Sequence, residues 1–322
     1  MRISVVIPAC NAAAFLGEAL ASVAAQTAPA DEVIVVDDGS TDATAAVAAK
    51  HGARVISTPN RGVSAARNTG IAAAQGDWIA LLDADDLWHP EKLARQIAAA
   101  ALAPEVGVIV CDHYRFAHGG AMLSASLFAE RRARFAAMRV ERLANGVLRL
   151  RDMGIGLVTL GMAFFPSVLL LRRELVLANG GFDETLQRCE DYEFLLRLFR
   201  QTDALAIDAP LMGYRVHPDG ISRQAEAMTL SLVALGDRIA AHPERYASGL
   251  AGAFMPRQRE ALLDAAKFAL KRGDRPSARA LIARAGAIRR DPRWAALNLA
   301  SHLPPGSIAA LSALKRRLAP RH

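Results

Sequence analysis

Three closely spaced aspartates follow an apolar run in the segment WIALLDADD, at Asp83, Asp85 and Asp86. The run predicts a buried strand that ends where the acids begin. In an extended backbone, residues i and i+2 point to the same side, so Asp83 and Asp85 can converge on one ligand. Carboxylate oxygens suit Mg²⁺ or Mn²⁺, which keep waters and bridge substrate phosphates. The plainer alternative is a polar turn in which Asp86 caps the helix that follows near Pro90.

A second acidic loop, VDDGSTD, follows another apolar run. Its Asp38 is an acceptor that suits the imino N–H on the edge of a nucleobase. Ser40 or Thr41 could cap the next helix, which explains part of the loop but leaves Asp38 without a role.

The stretch NRGVSAARNTG places Asn60 and Arg61 before a predicted helix and Arg67 within it. Arg67 could thus return toward a nucleotide or its diphosphate and offer a charge-assisted donor. An ordinary polar surface helix is the alternative.

A third acidic group stands in GGFDETLQRCEDYEFLLRLFRQ. The pattern predicts a turn at Gly180 and Gly181, followed by a helix with apolar residues inward and Glu190 and Asp191 in its first turn. Acids at that position also favour the helix dipole, so by themselves they have a purely structural explanation.

The elements that must position these groups alternate in the first 110 residues. Apolar runs at residues 3–7, 32–36, 54–57, 78–82 and 106–111 predict strands, and alanine-rich stretches at 12–25, 41–51 and 62–74 predict helices. Such alternation is typical of a parallel sheet with helices on both faces. Ligands bind such sheets at the carboxyl ends of the strands, which is where the acidic loops lie.

Three regions follow from these patterns. We assign residues 1–112 to a nucleotide-binding half and 113–224 to an acceptor and catalytic half, within which 113–160 form a partly helical insert. Residues 225–322 are alanine-rich, basic and predicted to be helical. One part of them weakly resembles a tetratricopeptide helix pair, although a plain helical appendage is simpler because such arrays need about three repeats.

Composition places the 322-residue chain among globular proteins, with 52% hydrophobic and 22% charged residues. Thr159 and Pro166 interrupt the most apolar stretch, so we predict no membrane-spanning helix. We expect no export signal at the N-terminus. Three widely spaced cysteines suit a reducing compartment, and we expect all three to be small buried hydrophobic residues. We therefore expect a cytoplasmic protein. The net charge of +7 favours anionic partners, such as a nucleoside diphosphate or an anionic membrane surface.

The ordered series VVIPACNA, VVDDGSTD, NRGVSAARNTG, LLDADD, GGFDE and EDYEF resembles family 2 glycosyltransferases. The resemblance covers roughly residues 1–225. It implies an α/β fold of the GT-A type, a Rossmann-like nucleotide-binding sheet flanked by helices, here followed by the C-terminal helical appendage.

The resemblance also implies roles for individual residues. In the family pattern Asp85 ligates a Mn²⁺ or Mg²⁺ ion, and the acidic pair Glu190 and Asp191 holds the catalytic base, which we assign to Asp191. In some relatives the histidine that corresponds to His217 approaches the diphosphate or the metal, although a lone histidine beside a proline is more often a surface loop residue. The resemblance and the strand ends together give the expected nucleotide-sugar site: Pro8, Ala9, Asn11, Asp38, Asn60, Arg67, Asp83 and Ala84.

We therefore predict an inverting glycosyltransferase that moves one sugar from a UDP- or dTDP-sugar to the hydroxyl of a saccharide or lipid-linked acceptor. Processive members of the family carry QxxRW and membrane helices. Trp294 follows Arg293 here, but in RRDPRW within the helical tail, so we expect one transfer per encounter. The expected setting is bacterial surface polysaccharide or glycolipid synthesis, with peripheral contact to an anionic membrane and no nucleic acid partner.

Rival interpretations lack their motifs. A nucleotidyltransferase would need a glycine-rich loop after the first strand, and PACNAAAF is not such a loop. A dinucleotide oxidoreductase would need the motif GxGxxG, and a phosphate-loop ATPase would need GxxxxGK[ST]; the sequence has neither. A catalytically silent sugar-nucleotide binder or scaffold is the remaining alternative, and the intact acids Asp83, Asp85 and Asp191 argue against it.

Overall fold

The computed structural model describes residues 1–161, 164–217 and 224–303. Within these ranges eleven strands form one mixed sheet, which confirms the predicted α/β class. The strands are β1 (Ile3–Ala9), β2 (Glu32–Asp38), β3 (Arg54–Thr58), β4 (Trp78–Leu81), β5 (Leu87–Trp88), β6 (Val108–Ala117), β7 (Met122–Ser124), β8 (Val140–Arg142), β9 (Val147–Leu150), β10 (Leu170–Arg172) and β11 (Ala204–Val216).

The described part of the chain also contains thirteen α-helices. They are α1 (Ala13–Ala24), α2 (Thr44–Lys50), α3 (Val63–Ala73), α4 (Lys92–Leu102), α5 (Leu127–Glu130), α6 (Arg132–Ala136), α7 (Met153–Leu160), α8 (Arg173–Ala178), α9 (Glu190–Leu198), α10 (Ala225–Ala241), α11 (Leu250–Lys271), α12 (Arg275–Ile288) and α13 (Pro292–His302). No helix of the described ranges is both long and apolar enough to cross a bilayer.

The sheet has the strand order β3-β2-β1-β4-β10-β6-β11-β9-β8. Strands β1 to β4 pair in parallel, as the alternation of strands and helices predicts. The central residues of β1, β2 and β4 are fully buried and almost continuously apolar because helices cover both faces, whereas the edge strand β3 is only partly buried. Antiparallel β10 enters between β4 and β6 and ends the parallel half.

Helix α3 packs closely on the parallel strands. A Cβ added at Gly70 would overlap the side chain of Val6 in β1, so only glycine allows this approach. The close packing brings Arg67, one turn earlier on the same helix, toward the carboxyl end of the sheet.

Residues 113–160, which we predicted to be a partly helical insert, contain more strand than their weak periodicity indicates. Strand β6 continues to Ala117, and β8 and β9 extend the sheet beyond β11. Short helices α5 to α7 complete this region.

Residue contacts divide the chain into two compact units. The first is Met1–Arg223 with His242–Leu250, and the second is Gln224–Ala241 with Ala251–His322. The predicted division after residue 224 did not foresee that His242–Leu250 belongs with the first unit, and as a statement about domains it stays a prediction.

Helices form the described part of the second unit. Its small core includes Val233, Leu262, Leu263 and Ala285. Aspartates cap two of its helices, since Asp274 accepts from Ser277 N and Asp291 from Trp294 N. The basic stretch at residues 313–322 lies outside the described residues.

Candidate active site

The loop after β4 is held by three buried polar side chains: Asp86, Ser167 and Arg215. Ser167 Oγ accepts from Asp83 N at 3.0 Å and donates to Asp86 Oδ2 at 2.6 Å. The other oxygen of Asp86 accepts from Arg215 N at 3.1 Å. Burial raises the pKa of the Asp86 carboxyl well above its usual value. Asp86 therefore holds the loop and does not cap α4, which begins after Glu91, so the capping alternative is wrong.

The side chain of Arg215 fixes the same loop from a second direction. Its Nε donates to the carbonyl oxygen of Asp85 at 2.8 Å, and its Nη2 lies 2.7 Å from Glu18 Oε2. The guanidinium also lies over the Phe116 ring, 4.8 Å from its centroid. A buried arginine thus orients the backbone from which the Asp85 carboxylate projects.

Asp85 and His217 come together although 132 positions separate them. His217 Nε2 lies 3.0 Å from Asp85 Oδ2, and the histidine side chain is only 11% exposed. Burial raises the pKa of Asp85 and nearby Asp83 raises it further, whereas the hydrogen bond with His217 acts in the opposite direction. The Phe15 ring packs 4.9 Å from the imidazole and supports it. His217 is therefore a packed residue beside the acidic loop and not an exposed loop residue.

This pair offers a metal ion one oxygen and one nitrogen. Within the described ranges no group of three or more His, Cys, Asp or Glu side chains is arranged to hold an ion. Mg²⁺ and Mn²⁺ commonly take one or two protein carboxylates and fill their remaining positions with water and substrate phosphate. Asp85 and His217 therefore fit an ion that a diphosphate shares, and they do not fit a site built from protein alone.

Arg67 is buried between two acidic loops. Its Nη2 lies 2.7 Å from Asp83 Oδ1 and its Nη1 lies 2.9 Å from Glu190 Oε1. The Phe182 ring lies below it, 5.2 Å from the guanidinium carbon. The two carboxylates raise the pKa of Arg67 above its already high value, against the effect of burial. Its guanidinium thus joins the loop after β4 to the start of α9, where we had expected it to point to the nucleotide.

The acidic pair Glu190 and Asp191 begins helix α9 at this junction. The preceding Cys189 adopts a left-handed backbone conformation, with φ of 59°, that turns the chain into the helix. Burial raises the pKa of Asp191 to about 7, with a further rise from Glu190, and Arg67 and the Tyr192 N–H oppose it. Asp191 is therefore a carboxyl that can gain or lose a proton near neutral pH.

Asp38 is nearly buried at the end of β2, and its carboxylate is largely occupied. Oδ1 accepts from Arg61 N at 2.9 Å and from Thr58 Oγ1 at 3.2 Å, and Oδ2 accepts from Gly62 N at 2.7 Å. Gly62 has φ of 94°, so the entry to α3 requires glycine. Asp38 holds this entry, and Oδ2 accepts one hydrogen bond where a carboxylate oxygen can take two.

Asn11 binds the neighbouring loop. Thr41 N donates to Asn11 Oδ1 at 2.8 Å, and Asn11 N donates to Ser40 Oγ at 2.9 Å. Ser40 and Thr41 therefore tie the loop after β2 to the loop after β1. They do not cap α2, which begins at Thr44, so the predicted capping is wrong.

The remaining predicted donor-site residues line the same edge of the sheet. Pro8 and Ala9 end β1 beside β2, and Ala84 is buried in the acidic loop. Asn60 lies against Cys10, with Nδ2 3.4 Å from Sγ. The expectation of buried cysteines holds for Cys111 and Cys189 and is wrong for Cys10, which is exposed.

Sequence reasoning missed Ser167 and Arg215. Their signals were weak: Ser167 is a serine inside the apolar run FFPSVLLL, and Arg215 is an arginine in YRVHPDGIS, two residues before His217. A buried polar residue in such surroundings needs partners, which here are the backbone and the carboxylate of the acidic loop.

Comparison with known proteins identifies the family. Residues 4–151 match the model described as glycosyl transferase family 2. An uncharacterized glycosyltransferase, EpsJ of Bacillus subtilis, is 31% identical over 230 residues, which are 68% of this chain and 62% of that protein. The succinoglycan biosynthesis protein ExoO of Rhizobium meliloti is 44% identical over 105 residues, 31% of this chain and 30% of that protein. The matches to both cover less than two thirds of the relatives' own length.

Solved structures show the fold. The S. aureus protein TarS, residues 1–349 in complex with UDP-GlcNAc, matches with a TM-score of 0.61 at 19% identity, covering 92% of this chain and 84% of that one. The mannosyltransferase PcManGT of Pyrobaculum calidifontis, in complex with GDP-Man and Mn²⁺, matches with a TM-score of 0.56 at 20% identity, covering 99% and 88%. The chain therefore has the GT-A fold, and its residues 4–151 match glycosyl transferase family 2.

Proposed function

We propose that this protein transfers a single sugar, with inversion, from a nucleoside diphosphate sugar to an acceptor hydroxyl, and that Asp191 is the general base. The observation that carries the proposal is the buried position of Arg67 between Asp83 and Glu190. Arg67 holds the first turn of α9, which carries Asp191, against the loop that bears Asp85, and this arrangement supports Asp191 as the base. A base and a diphosphate site at one junction are what a direct displacement needs.

Asp191 would accept the proton of the acceptor hydroxyl as that oxygen attacks the anomeric carbon. A pKa of about 7 suits this task, because about half of the Asp191 side chains are ionised at neutral pH and the carboxylate is still basic enough to take the proton. The new carbon–oxygen bond forms on the face opposite the departing diphosphate. Because one displacement occurs, the anomeric configuration inverts.

Asp85 and His217 would hold a divalent ion, and the Mn²⁺ in PcManGT supports this assignment. When bound, such an ion neutralises the charge that collects on the leaving diphosphate. The protein's own part is to aim Asp85, which Arg215 does through the Asp85 carbonyl, and to keep Asp83 paired with Arg67.

The donor would lie across Pro8, Ala9, Asn11, Asp38, Asn60 and Ala84. The UDP-GlcNAc and GDP-Man in the two structural neighbours support a nucleoside diphosphate sugar as the class. We propose a uracil or thymine base because one acceptor position on Asp38 can take an imino N–H.

The acceptor is proposed to be a saccharide or a lipid-linked saccharide in bacterial surface polysaccharide synthesis, a setting that the name of ExoO supports. We propose that the reaction takes place in the cytoplasm, at the inner face of the membrane. The excess of arginine after residue 224 would favour an anionic lipid surface.

The experiment is Mn²⁺-dependent release of nucleoside diphosphate from a panel of UDP-, dTDP- and GDP-sugars. We expect release from one donor, abolished by Asp85→Ala and reduced by His217→Ala at limiting Mn²⁺. Asp77→Ala is the matched control, because Asp77 is an exposed acid just before strand β4, whereas Asp85 lies in the loop after that strand. If the protein neither binds any of these donors nor releases diphosphate from it, the proposal is refuted and a scaffold role remains.

A further inference from the structure

The segment His242–Leu250 links helices α10 and α11 in sequence but belongs to the compact unit that holds the candidate active site. Tyr246, which lies in this segment, is only 3% exposed. A buried tyrosine usually directs its hydroxyl to a partner, since an unpaired buried hydroxyl is costly. The partner is Glu193 of helix α9, two residues after Asp191.

Glu193 is a fully buried carboxylate, and both of its oxygens accept hydrogen bonds. Arg197 binds it through two nitrogens, with Nε 2.7 Å from Oε1 and Nη2 2.9 Å from Oε2. Tyr246 donates its hydroxyl to Oε1 at 3.0 Å. Arg245 lies further away, with Nη2 3.9 Å from Oε1, and its side chain is 37% exposed. A buried charge of this kind is stable only while its partners remain in place.

Arg197 carries the connection onward to the loop before α9. Its Nη1 donates to the carbonyl oxygen of Asn179, and its Nη2 donates to that of Gly181 at 2.7 Å. The next residue, Phe182, stacks on Phe194 with ring centroids 4.2 Å apart.

Phe182 also contacts helix α3. Asn68 Oδ1 accepts from Phe182 N at 2.8 Å, and the Arg67 guanidinium lies over the phenylalanine ring. The cluster around Glu193 therefore reaches the same arginine that joins Glu190 to Asp83.

We infer that Tyr246 is a positioning residue for Asp191: its hydroxyl bond to Glu193 fixes the start of helix α9 and hence the direction of the proposed base. The inference rests on the proposed function and adds to it a role for a segment that lies after residue 224. Glu193 acts through the helix backbone and not by contact with Asp191, because residues i and i+2 of a helix do not face each other.

The charged groups around Asp191 make the pH profile a specific measure of its position. Glu190 and Asp83 raise its pKa, and Arg67 lowers it. If α9 moves outward, Asp191 gains water, its pKa falls, and the acid limb of the rate profile moves to lower pH.

The test is Tyr246→Phe in the full chain, a change that removes one hydroxyl and keeps the ring. We expect kcat to fall about tenfold, because Glu193 loses the hydrogen bond from the Tyr246 hydroxyl and Asp191 is then misaligned. The donor KM should stay unchanged and the acid limb should move to lower pH. Arg245→Gln is the matched control, since it alters the same segment at a partly exposed charge that makes only a 3.9 Å ion pair with Glu193, and kcat should remain within about threefold.

A second readout does not depend on turnover. Hydrogen exchange of the amides in residues 190–198 should become about tenfold faster in Tyr246→Phe, while exchange in residues 32–38 should not change. If the wild type releases no diphosphate from any donor, the proposed function fails, and this exchange measurement alone decides whether Tyr246 fixes α9. Unchanged exchange would overturn the inference. The inference would also be overturned if Tyr246→Phe lost stability but kept the wild-type kcat and pH profile, because Tyr246 would then be a merely structural residue.

Discussion

Arg67 Nη1 and Glu190 Oε1 lie 2.9 Å apart although 123 positions separate the two residues in sequence. The same guanidinium also binds Asp83 at 2.7 Å. One buried side chain of helix α3 thus holds the acidic loop of strand β4 against the beginning of helix α9. The geometry of the proposed reaction depends on this contact, because each acidic group comes from a different part of the chain.

Arg67→Ala should destabilise the protein by about 3 kcal/mol, because it leaves carboxylates partly buried without their cation. Urea unfolding measures the change. Arg139→Ala is the control: the exposed Arg139–Asp152 pair should contribute less than about 1 kcal/mol. A loss at Arg67 no larger than that at Arg139 would show that the junction does not depend on the guanidinium.

The rate should depend on pH through Asp191. The base works only when ionised, so kcat/KM should rise with pH and level off above the Asp191 pKa of about 7. Because Glu190 raises this pKa, Glu190→Gln should move the rise to lower pH. A pH–rate series for both proteins measures the shift. A rise that stays in place or moves upward would mean that another group titrates.

Ser167→Ala should lower both stability and turnover. The hydroxyl serves Asp86 and the Asp83 N–H at once, so its loss takes a partner from the Asp83 N–H and from one oxygen of Asp86 and should cost about 1–3 kcal/mol. Turnover should fall as well, because the acidic loop loses its support. Ser57→Ala, an exposed serine on β3, is the control for urea unfolding and rate. Equal values for the two variants would remove Ser167 from the site.

Cys10 offers a chemical test of where the donor binds. It is exposed beside Asn60, whereas the other two cysteines are buried. Burial and the nearby Asp38 and Asp37 raise its pKa, so labelling with a maleimide should be slow at neutral pH and faster above pH 8. Mass spectrometry should show that the bound nucleoside diphosphate protects Cys10. Labelling at the same rate with and without the nucleotide would place the donor elsewhere.

The sequence predicted the regular elements of this site well, because local patterns determine them. The parallel strands β1 to β4 lie where apolar runs occur, β2 and β4 end at acidic loops, and α9 begins at the acidic pair. The partners of the acidic groups were harder to predict, since Arg67, Ser167 and Arg215 meet the acidic loops only after distant strands pair. Tyr246 could not be assigned at all, because no local pattern indicates that the connection between α10 and α11 belongs with the first unit.

The measurement that tests the central claim most directly compares donor binding with turnover in Asp191→Asn. The amide keeps the shape of the carboxylate but cannot take a proton. We predict that calorimetry gives a donor Kd within about twofold of wild type, while turnover falls by about 10² to 10⁴. Turnover above about a tenth of the wild-type rate would contradict the account, because a general base contributes more than that.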